Sequence, residues 1–451
     1  MGCTRSPSKI LAEWGAVVVV FVFLMFPADL WAAFASQFSL GVGEEYNDNI
    51  FFTKKKEHDF ITSLSPTLSF FYAPPGEVAP TGSLTITPAG QLYARHSEEN
   101  NFGDNISVNG LYTYRYSPRL SFNLSDTLRW QGATRTGGLN DLGQLQTGLT
   151  TSPPEPSSSQ NLKDLISRGD QATNSFSFQT AYLYRPDISF NGFYTNAFTK
   201  FIAAGGTDVF HTIGARGVYN WRRDHNLHAG YSVSIANSRD GENGIIHNFD
   251  IGDDYFSNYN LQLSPTLSLT ASTGLSFNAG SSGPRIANNT NITITKLWEV
   301  AVLNAGLNKG LTPSFGVSGI SDTTYLFTNF NMRLTERVST NANARLSFFD
   351  TKDVNFKTFQ AGIGLQYLIT SWLSSALNYR FNWIDSGAGA SRSDLLDRGS
   401  VHSNSIFLTL TSTFDLWPNT GLARSLMPSP TLTPVLQTPF PTQPPPSSVT
   451  P

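Results

Sequence analysis

The sequence is short of cysteine, of charge and of long apolar runs, and each shortage excludes a class of protein. Cys3 is the only cysteine among 451 residues, so disulfides within the chain and thiolate metal sites have no basis. Charged residues make up 14%, below the roughly 25% typical of soluble domains. Beyond the N-terminal segment, no apolar run approaches the about 20 residues that a membrane-spanning helix requires. The formal net charge of −3 gives no indication of nucleic acid as a partner.

Residues 1–35 have the features of a secretory signal peptide. Arg5 and Lys9 supply positive charge, and a short apolar run follows at 15–26. The tripeptide Ala-Phe-Ala at 33–35 has small residues at the spacing that signal peptidase requires. An N-terminal membrane anchor is the alternative, for which the apolar run is too short. We therefore predict cleavage before Ser36, which would leave a mature chain without cysteine.

In place of long apolar runs, the sequence shows strict alternation of apolar and polar residues, and segment 405–417 is the clearest case. Successive side chains of a strand point to opposite faces, so this segment would have one apolar and one polar face. The apolar phase holds Ile406, Leu408, Leu410, Phe414 and Leu416, and the polar phase holds Ser405, Thr409, Thr411, Thr413 and Asp415. Apolar-out, polar-in strands around a wet interior are typical of a transmembrane β-barrel.

The same alternation recurs along 36–417 and predicts the fold class. We count about 18 strand candidates, with 16–18 as the range, and an even number is usual for a single-chain outer-membrane barrel. The clearest candidates are 106–116, 120–130, 175–184, 338–348 and 373–383. The prediction is an all-β, transmembrane, antiparallel up-and-down β-barrel, with a large soluble all-β protein as the competing class. Asp126 falls in the lipid-facing phase, so either it lies at the rim or the register slips there.

The connections between these candidates fall into two kinds. The short ones lie at 117–119, 185–187, 264–266, 334–337 and 369–372, and the long polar ones lie at 133–172, 236–244, 279–290, 311–322 and 385–402. Short turns on the periplasmic side and long loops outside are usual for an outer-membrane barrel. Aromatic residues near the strand ends predict interfacial girdles in contact with outer-membrane lipid. With an even strand number, both termini would lie in the periplasm.

The final segment, 418–451, differs in composition from the barrel. Residues 428–451 are rich in proline, threonine and serine and carry no charged side chain. Proline cannot donate to a β-ladder, so this segment predicts an extended tail instead of another strand. We expect a disordered periplasmic tail. The functional alternative is a tether to a periplasmic partner or to the cell wall.

One short motif resembles a known family. Residues 43–51, Gly-Glu-Glu-Tyr-Asn-Asp-Asn-Ile-Phe, are followed by Asp59 and by a strand that contains Pro66. This arrangement resembles a family of outer-membrane β-barrel porins often associated with exopolysaccharide synthesis and export loci. The resemblance implies an outer-membrane location and a barrel, and it raises polysaccharide or periplasmic export components as partners.

The chain departs from the usual barrel at its C-terminal end. Outer-membrane barrels usually finish on an aromatic strand that is read by the assembly machinery, whereas here the proline-rich tail follows Trp417. Either 414–417 serves internally as that signal, or recognition by the assembly machinery is unusual.

Two details of the N-terminal region have competing interpretations. Asn47, Asp48 and Asn49 could supply oxygen ligands to calcium, but such a cluster more often forms Asx turns, and no full ligand loop follows. We therefore predict no metal site. Pro66 interrupts a well-alternating run, and because a closed barrel has no edge strand, a bulge is predicted there.

Arginine in the inward phase is the main functional signal. Arg95, Arg115, Arg129, Arg216, Arg333, Arg345 and Arg380 fall on the polar side of their strand candidates, and the inward acids are Glu45, Asp250, Asp254 and Asp415. A lumen biased toward arginine would favour anions. Our hypothesis is a preference for anionic solutes or acidic sugar chains, and the equal alternative is that these arginines pair with carboxylates and brace the wall.

The sequence indicates a channel and not an enzyme. The seven histidines are dispersed, His225 and His228 fall at a predicted turn where an exposed role is expected, and neither a nucleophile elbow nor a phosphate-binding loop occurs. We expect no catalytic residues and no cofactor. The predicted function is a porin-like passive channel for small hydrophilic solutes, with loop 133–172 as a candidate plug. The alternatives are an accessory role in exopolysaccharide export and a plugged structural or adhesive barrel.

Overall fold

The computed structural model describes residues 34–74, 80–131, 171–202, 205–222, 224–237, 243–256, 267–279, 284–313, 320–350, 355–386 and 399–417. The predicted signal peptide up to residue 33, the proline-rich tail and nearly all of the candidate plug loop lie outside the described residues. The first strand begins at Phe34, two residues before the predicted cleavage point, and the last strand ends at Trp417, where the tail was predicted to begin.

The described residues form eighteen β-strands. They are β1 (Phe34–Asn47), β2 (Asp59–Tyr72), β3 (Thr81–Tyr93), β4 (Asn101–Ser117), β5 (Leu120–Gln131), β6 (Gln171–Arg185), β7 (Ile188–Phe201), β8 (Thr207–Arg222), β9 (His225–Asn237), β10 (Asn243–Phe256), β11 (Leu267–Asn278), β12 (Arg285–Leu297), β13 (Ala301–Pro313), β14 (Ile320–Arg333), β15 (Val338–Asp350), β16 (Asn355–Leu368), β17 (Leu373–Ser386) and β18 (Ser400–Trp417). Within the described chain, no helix is long and apolar enough to cross a membrane.

The strands close into one antiparallel barrel. Each strand pairs with its neighbour in sequence, and β18 pairs with β1, so the sheet has no free edge. The closing pair runs in continuous register from Gln37 opposite Asp415 to Asn47 opposite Ser405. This topology confirms the predicted all-β up-and-down barrel of about 18 strands.

Side-chain exposure confirms the predicted inward and outward phases. In β18, Ile406 and Leu408 are each 49% exposed, whereas Ser405 and Thr409, on the opposite face, are 4% and 5% exposed. The period of two in the sequence therefore becomes an apolar outer surface and a polar inner wall. We call these the outward and inward faces below.

The two ends of the barrel differ in their connections. Both chain ends of the barrel, Phe34 and Trp417, lie at one end, which we call the terminus end, and the opposite end is the loop end. Several terminus-end connections are tight, at 118–119, 186–187, 334–337 and 369–372, and the longest loop-end connections span 48–58, 132–170 and 387–399. The predicted asymmetry is thus confirmed in outline.

Several predicted loop boundaries were wrong. Three loop-end segments were predicted at 236–244, 279–290 and 311–322, but strands continue into all three of them. These strand extensions are rich in Asn and Thr, which hid them from a search for apolar alternation. At the terminus end, eight residues (73–80) separate β2 from β3, and the short turn predicted at 264–266 lies outside the described residues.

Aromatic side chains ring the terminus end on the outward face. Tyr116 is 65% exposed and Trp221 is 53% exposed, and Tyr184, Tyr219 and Trp372 are also exposed close to their strand ends. Rings with one polar edge favour the boundary between lipid and water. The predicted girdle is therefore present at this end of the barrel.

The bulge predicted at Pro66 does not occur. The β2–β3 register is the same on both sides of the proline, with Leu64 opposite Gly90 and Leu68 opposite Ile86. This register places Pro66 opposite Pro88, which both lack an N–H, and the pairing is interrupted over 65–67 around them. On the inward face the Thr67 and Thr87 hydroxyls lie 3.1 Å apart and bridge the interruption.

Asp126 faces outward from the middle of β5, so both explanations suggested for it were wrong. The register is continuous through it toward Gly110 of β4 and toward Phe176 of β6. Its Oδ1 atom accepts a 2.7 Å hydrogen bond from Asn174 Nδ2. A carboxylate on the outward face is thus stabilised by a neighbouring amide on the same face.

Candidate functional site

The inner wall of the barrel is the candidate site, and its exposure changes along its length. At the loop end, inward side chains are fully buried, as shown by Gln171, Asp208 and Ser321, each 0% exposed. At the terminus end, inward side chains such as Arg115 and Asn220 are exposed. The described wall is therefore open to solvent from the terminus end and tightly packed toward the loop end.

The seven arginines predicted to line the pore do not form one ring. Arg115 and Arg333 lie near the terminus end, Arg129 and Arg345 lie nearer the loop end, and Arg216 and Arg380 lie between them. Arg95 differs from the prediction that it lies on a strand, because β3 ends at Tyr93 and Arg95 belongs to the exposed connection at 94–100. The remaining six lie at inward positions of their strands.

Arg216 is paired across an intervening strand. Its Nη2 atom donates a 2.9 Å hydrogen bond to Asp250 Oδ2, although β9 lies between β8 and β10. The residue between them is Gly230, and a Cβ added there would lie 3.1 Å from Asp250 Cγ. The glycine therefore leaves the space through which the aspartate reaches the arginine.

His228 lies beside this pair and contradicts the turn prediction. It lies within β9, and its side chain is 0% exposed instead of solvated. Its Nδ1 atom is 3.5 Å from Asp254 Oδ2, and its Nε2 atom is 3.9 Å from Asp250 Oδ2. Arg216, Asp250, His228 and Asp254 thus form one charged cluster on the inward face, in which the arginine is largely neutralised.

His225 starts the same strand and faces outward. Its Nδ1 atom lies 2.6 Å from Asp253 Oδ2, so the two histidines of β9 each contact acids of β10 on opposite faces of the wall. Among the described residues, no group of three or more His, Cys, Asp or Glu side chains could hold a metal ion.

Two further arginines interact with aromatic rings and with an acid. The Arg345 guanidinium lies 4.3 Å from the centre of the Tyr325 ring, and Tyr325 is buried while Arg345 is half-buried. Arg380 lies 5.6 Å from the Phe407 ring and acts electrostatically on the buried Glu45 carboxyl. These contacts fix the arginines against the wall through cation–π attraction and charge pairing.

Sequence reasoning missed a belt of asparagines. Inward positions of β10, β12, β13, β14, β15 and β17 carry Asn248, Asn289, Asn291, Asn304, Asn308, Asn329, Asn331, Asn341, Asn343, Asn378 and Asn382. Glycines make room for them: a Cβ on Gly364 would lie 2.9 Å from Asn341 Nδ2 and would overlap Asn378 Oδ1. The signal that could have found the belt is asparagine at alternate positions of neighbouring strands.

At the loop end, the Asn-Asp-Asn motif forms a set of hydrogen bonds that joins the first and last strands. Asp48 accepts hydrogen bonds from Asn404 N (2.6 Å), Asn404 Nδ2 (2.9 Å) and Lys56 Nζ (2.7 Å). Asn49 donates through Nδ2 to the carbonyl oxygens of Thr53 and His402, at 2.7 and 2.9 Å. The Asn49 backbone N–H donates a 2.9 Å hydrogen bond to Asn47 Oδ1, as expected of an Asx turn, while Asp48 is bound by Asn404 and Lys56.

Asp59 binds the loop-end connection at 94–100, which joins β3 to β4. Its buried carboxylate accepts hydrogen bonds from the backbone N–H groups of Phe60 (2.8 Å), Arg95 (3.0 Å) and His96 (3.0 Å). It also lies 2.8 Å from His96 Nδ1, and His96 Nε2 lies 3.3 Å from Glu57 Oε2. We call the contacts of Asp48, Asn49 and Asp59 the loop-end clasp.

From the contact between His96 and Asp59 in the loop-end clasp, we predict that the stability of the protein depends on pH. The hydrogen bond to Asp59 raises the pKa of His96 above its usual 6.5, with burial acting in the opposite direction. Protonated His96 therefore stabilises the clasp fully below pH 6.5, and this contribution is lost as the pH rises through the folded-state pKa. We expect the free energy of unfolding, measured by urea titration of the refolded barrel, to fall as the pH rises above 6.5.

The matched variant for this prediction is His96→Gln, which should abolish the pH-dependent difference over that range. A difference that persists in the variant would contradict the assignment to His96.

Asp48 makes the free energy of unfolding depend on pH in the opposite direction, and at lower pH. Burial opposes ionisation there, but hydrogen bonds from Asn404 and Lys56 lower the pKa of Asp48 below 3.8, so its contribution is lost only as the pH falls through that lower value.

Of the known proteins compared with this chain, only solved structures resemble it. No protein-family model matches the chain, and no curated protein matches it. The crystal structure of Pseudomonas aeruginosa OpdL has a TM-score of 0.46 at 13% identity, covering 86% of this chain and 100% of that chain. P. aeruginosa OccK7 (OpdD) has a TM-score of 0.44 at 11% identity, covering 85% and 99%. The P. aeruginosa outer membrane protein OpdK has a TM-score of 0.42 at 11% identity, covering 84% and 98%.

Likeness at this level does not establish a shared function. The assignment of the fold depends on the closed strand pairing of this chain itself.

Proposed function

We propose that this protein is an outer-membrane channel of the porin type that passes small hydrophilic solutes by diffusion. The observation that carries the proposal is the closed eighteen-strand barrel with an apolar outward face and a polar inward face. Barrels of 16–18 strands enclose a lumen wide enough for water and solute. In this arrangement the lipid covers the outward face, and the terminus end with its aromatic girdle lies in the periplasm.

The inward arginines are the proposed selectivity elements. Arg216 and Arg380 are offset by nearby carboxylates, whereas Arg115, Arg129, Arg333 and Arg345 form no salt bridge among the described residues. Unpaired cations in a confined aqueous path concentrate anions through their field. We therefore propose a modest preference for anionic solutes, set by four of the seven predicted arginines.

Conductance of the refolded barrel in a planar bilayer tests the proposal. Steady unitary steps, with a reversal potential in a salt gradient that indicates anion preference, would support an open channel with arginine-controlled selectivity. No conductance from a barrel shown to be folded would overturn the channel, and it would favour a plugged structural or adhesive barrel. A reversal potential that indicates cation preference would overturn the arginine assignment alone.

The double variant Arg129→Gln and Arg345→Gln sharpens this test. Removing two unpaired lumen charges should lower the anion-to-cation permeability ratio by about threefold, because the wall potential falls. The matched control is the double variant Lys55→Gln and Arg95→Gln, which removes the same two charges from the connections at 48–58 and 94–100, outside the strands. An equal shift in the control would show that the selectivity does not depend on the wall arginines.

The second candidate function is an accessory role in exopolysaccharide export, with polysaccharide and periplasmic export components as partners. It is supported by the resemblance of residues 43–51 to barrels associated with such loci and by the amide-rich lumen wall. Deletion of the gene in the producing bacterium tests it. Polymer retained within the envelope would support the export role, whereas unchanged polymer release together with lost uptake of small solutes would support the channel alone.

A further inference from the structure

A recess in the lumen wall carries an inference about the solute. It lies on the inward face across β7 to β13 and has a volume of about 230 Å³. Most of the side chains that line it are amides and hydroxyls, among them Ser232, Asn248, Ser276, Asn289, Asn291 and Asn308. Its volume is below the range of drug-sized pockets, so it suits one small unit of a ligand.

The recess lies where the pairing between β12 and β13 ends. β12 and β13 are paired only from Leu297 opposite Val302 up to Thr290 opposite Lys309, whereas β13 stays paired with β14 as far as Pro313. Beyond Lys309 the chain of β13 therefore leaves β12. Leu311 packs there against Ile246 of β10 and Ile320 of β14, which forms an apolar roof at the loop-end side.

The polar groups of the recess are spaced along neighbouring strands. Asn291 lies directly opposite Asn308 on one side and Ser272 on the other. Asn248 accepts a 2.6 Å hydrogen bond from the Ser276 hydroxyl through Oδ1. Gly310 contributes no side chain, and a Cβ there would lie 3.3 Å from Asn289 Oδ1. The result is a surface of donors and acceptors instead of a surface of charge.

The charges at the recess cancel each other. Arg216 and Asp250 both line it, but they bond to each other at 2.9 Å. An anion would have to compete with Asp250 for the guanidinium, and it would face amide and hydroxyl oxygens. A neutral hydroxyl donates and accepts in the same way as an asparagine amide or a serine hydroxyl, so it satisfies this lining without unpaired groups.

The Phe193 ring also lines the recess. Phe193 lies on the inward face and covers Gly214, where an added Cβ would lie 2.7 Å from Phe193 Cε1. Sugars present hydroxyls at their edges and C–H groups on their faces, and a phenyl face suits C–H groups. An amide-lined recess that also contains a half-buried phenyl ring thus matches a neutral pyranose unit.

We propose that this recess binds a unit of a neutral saccharide, so that neutral oligosaccharides are a solute class of the channel. The inference rests on the proposed channel function and names its solute class. It is separate from the ion selectivity, which depends on arginines outside the recess. Binding at the millimolar level would hold a sugar briefly without stopping its passage.

The test measures block of the ion current in a planar bilayer by maltotriose, with trigalacturonate as the acidic comparison. The variant is Asn291→Leu, which keeps the side-chain size and removes the central donor and acceptor. The matched control is Asn331→Leu, on the inward face of β14 and outside the recess. We expect millimolar block by maltotriose, at least tenfold weaker in Asn291→Leu and unchanged in Asn331→Leu. Ser272→Ala is the second variant if Asn291→Leu does not fold.

The outcomes distinguish failure of the saccharide site from failure of the channel function. A conducting barrel that maltotriose does not block, or blocks equally in both variants, would overturn the saccharide site and leave the channel standing. Block by trigalacturonate alone would also overturn it. If the folded barrel does not conduct, maltotriose binding is measured by calorimetry. Binding that Asn291→Leu abolishes would then support the site while the channel function fails, and absence of binding would overturn both.

Discussion

Replacing Asp59 with alanine is expected to lower the free energy of unfolding by about 3 kcal/mol, because buried donors lose their acceptor. The Asp59 carboxylate is fully buried and accepts from three backbone N–H groups and from His96 Nδ1. Those N–H groups belong to Phe60, Arg95 and His96, so the substitution leaves a connection between two strands without its central acceptor. A buried carboxylate that is fully hydrogen-bonded stabilises far more than an exposed one.

The measurement is urea unfolding of the barrel refolded into lipid vesicles, followed by tryptophan fluorescence. Asp59→Asn should lose less than Asp59→Ala, since the amide oxygen still accepts from part of the set. The matched control is Glu336→Ala, which removes an exposed acid from the turn at 334–337 at the opposite end. A loss in Asp59→Ala no larger than in Glu336→Ala would show that the clasp does not contribute to stability.

Replacing Gly274 with alanine is the second large effect, with an expected loss of about 3 kcal/mol or failure to fold. An added Cβ would overlap the carbonyl oxygen of Phe249 and would lie 2.7 Å from its carbonyl carbon and 2.8 Å from Asp250 Cα. All three atoms belong to the backbone of β10, so no side-chain rotation can relieve the overlap. The strands would have to separate, which breaks ladder hydrogen bonds between β10 and β11.

The control for this prediction is Gly110→Ala on β4. The nearest atom to a Cβ there is the Asp126 carbonyl oxygen at 3.9 Å, an ordinary contact, so a change below about 1 kcal/mol is expected. The folded fraction is read from the mobility shift between heated and unheated samples on a gel. Equal folded fractions for the two variants would mean that β10 and β11 are not as close at Gly274 as the structure shows.

Alternation explains why the fold could be predicted and why some boundaries could not. In β18, the exposed residues Ile406 and Leu408 and the buried residues Ser405 and Thr409 occupy the phases expected of them. The start of β12, by contrast, reads Arg-Ile-Ala-Asn-Asn-Thr with Ile286 as its one large apolar residue, and it was predicted as loop because a single apolar residue does not establish a phase. The extension of a strand beyond its apolar segment needs backbone pairing but no apolar outward face. Alternation of hydropathy therefore does not detect such an extension.

His228 shows a different limit. Its position three residues after the start of β9 was interpreted as a solvated turn, yet its side chain is fully buried beside Asp250 and Asp254. The environment of His228 is made by β10, whose register against β9 the local sequence does not reveal. The asparagine belt was missed for the same reason, since its members lie side by side only in the register of the neighbouring strands.

The sequence by itself determined which side chains face outward and which face the interior of the barrel, because a period of two leaves one choice of face for each strand once the apolar phase is known. Only the tertiary structure decided which inward groups meet. Asp250 reaches Arg216 because Gly230 lies between them, and the recess exists because β13 leaves β12 beyond Lys309. These contacts depend on register and closure across strands that are distant in sequence, and no local pattern encodes them.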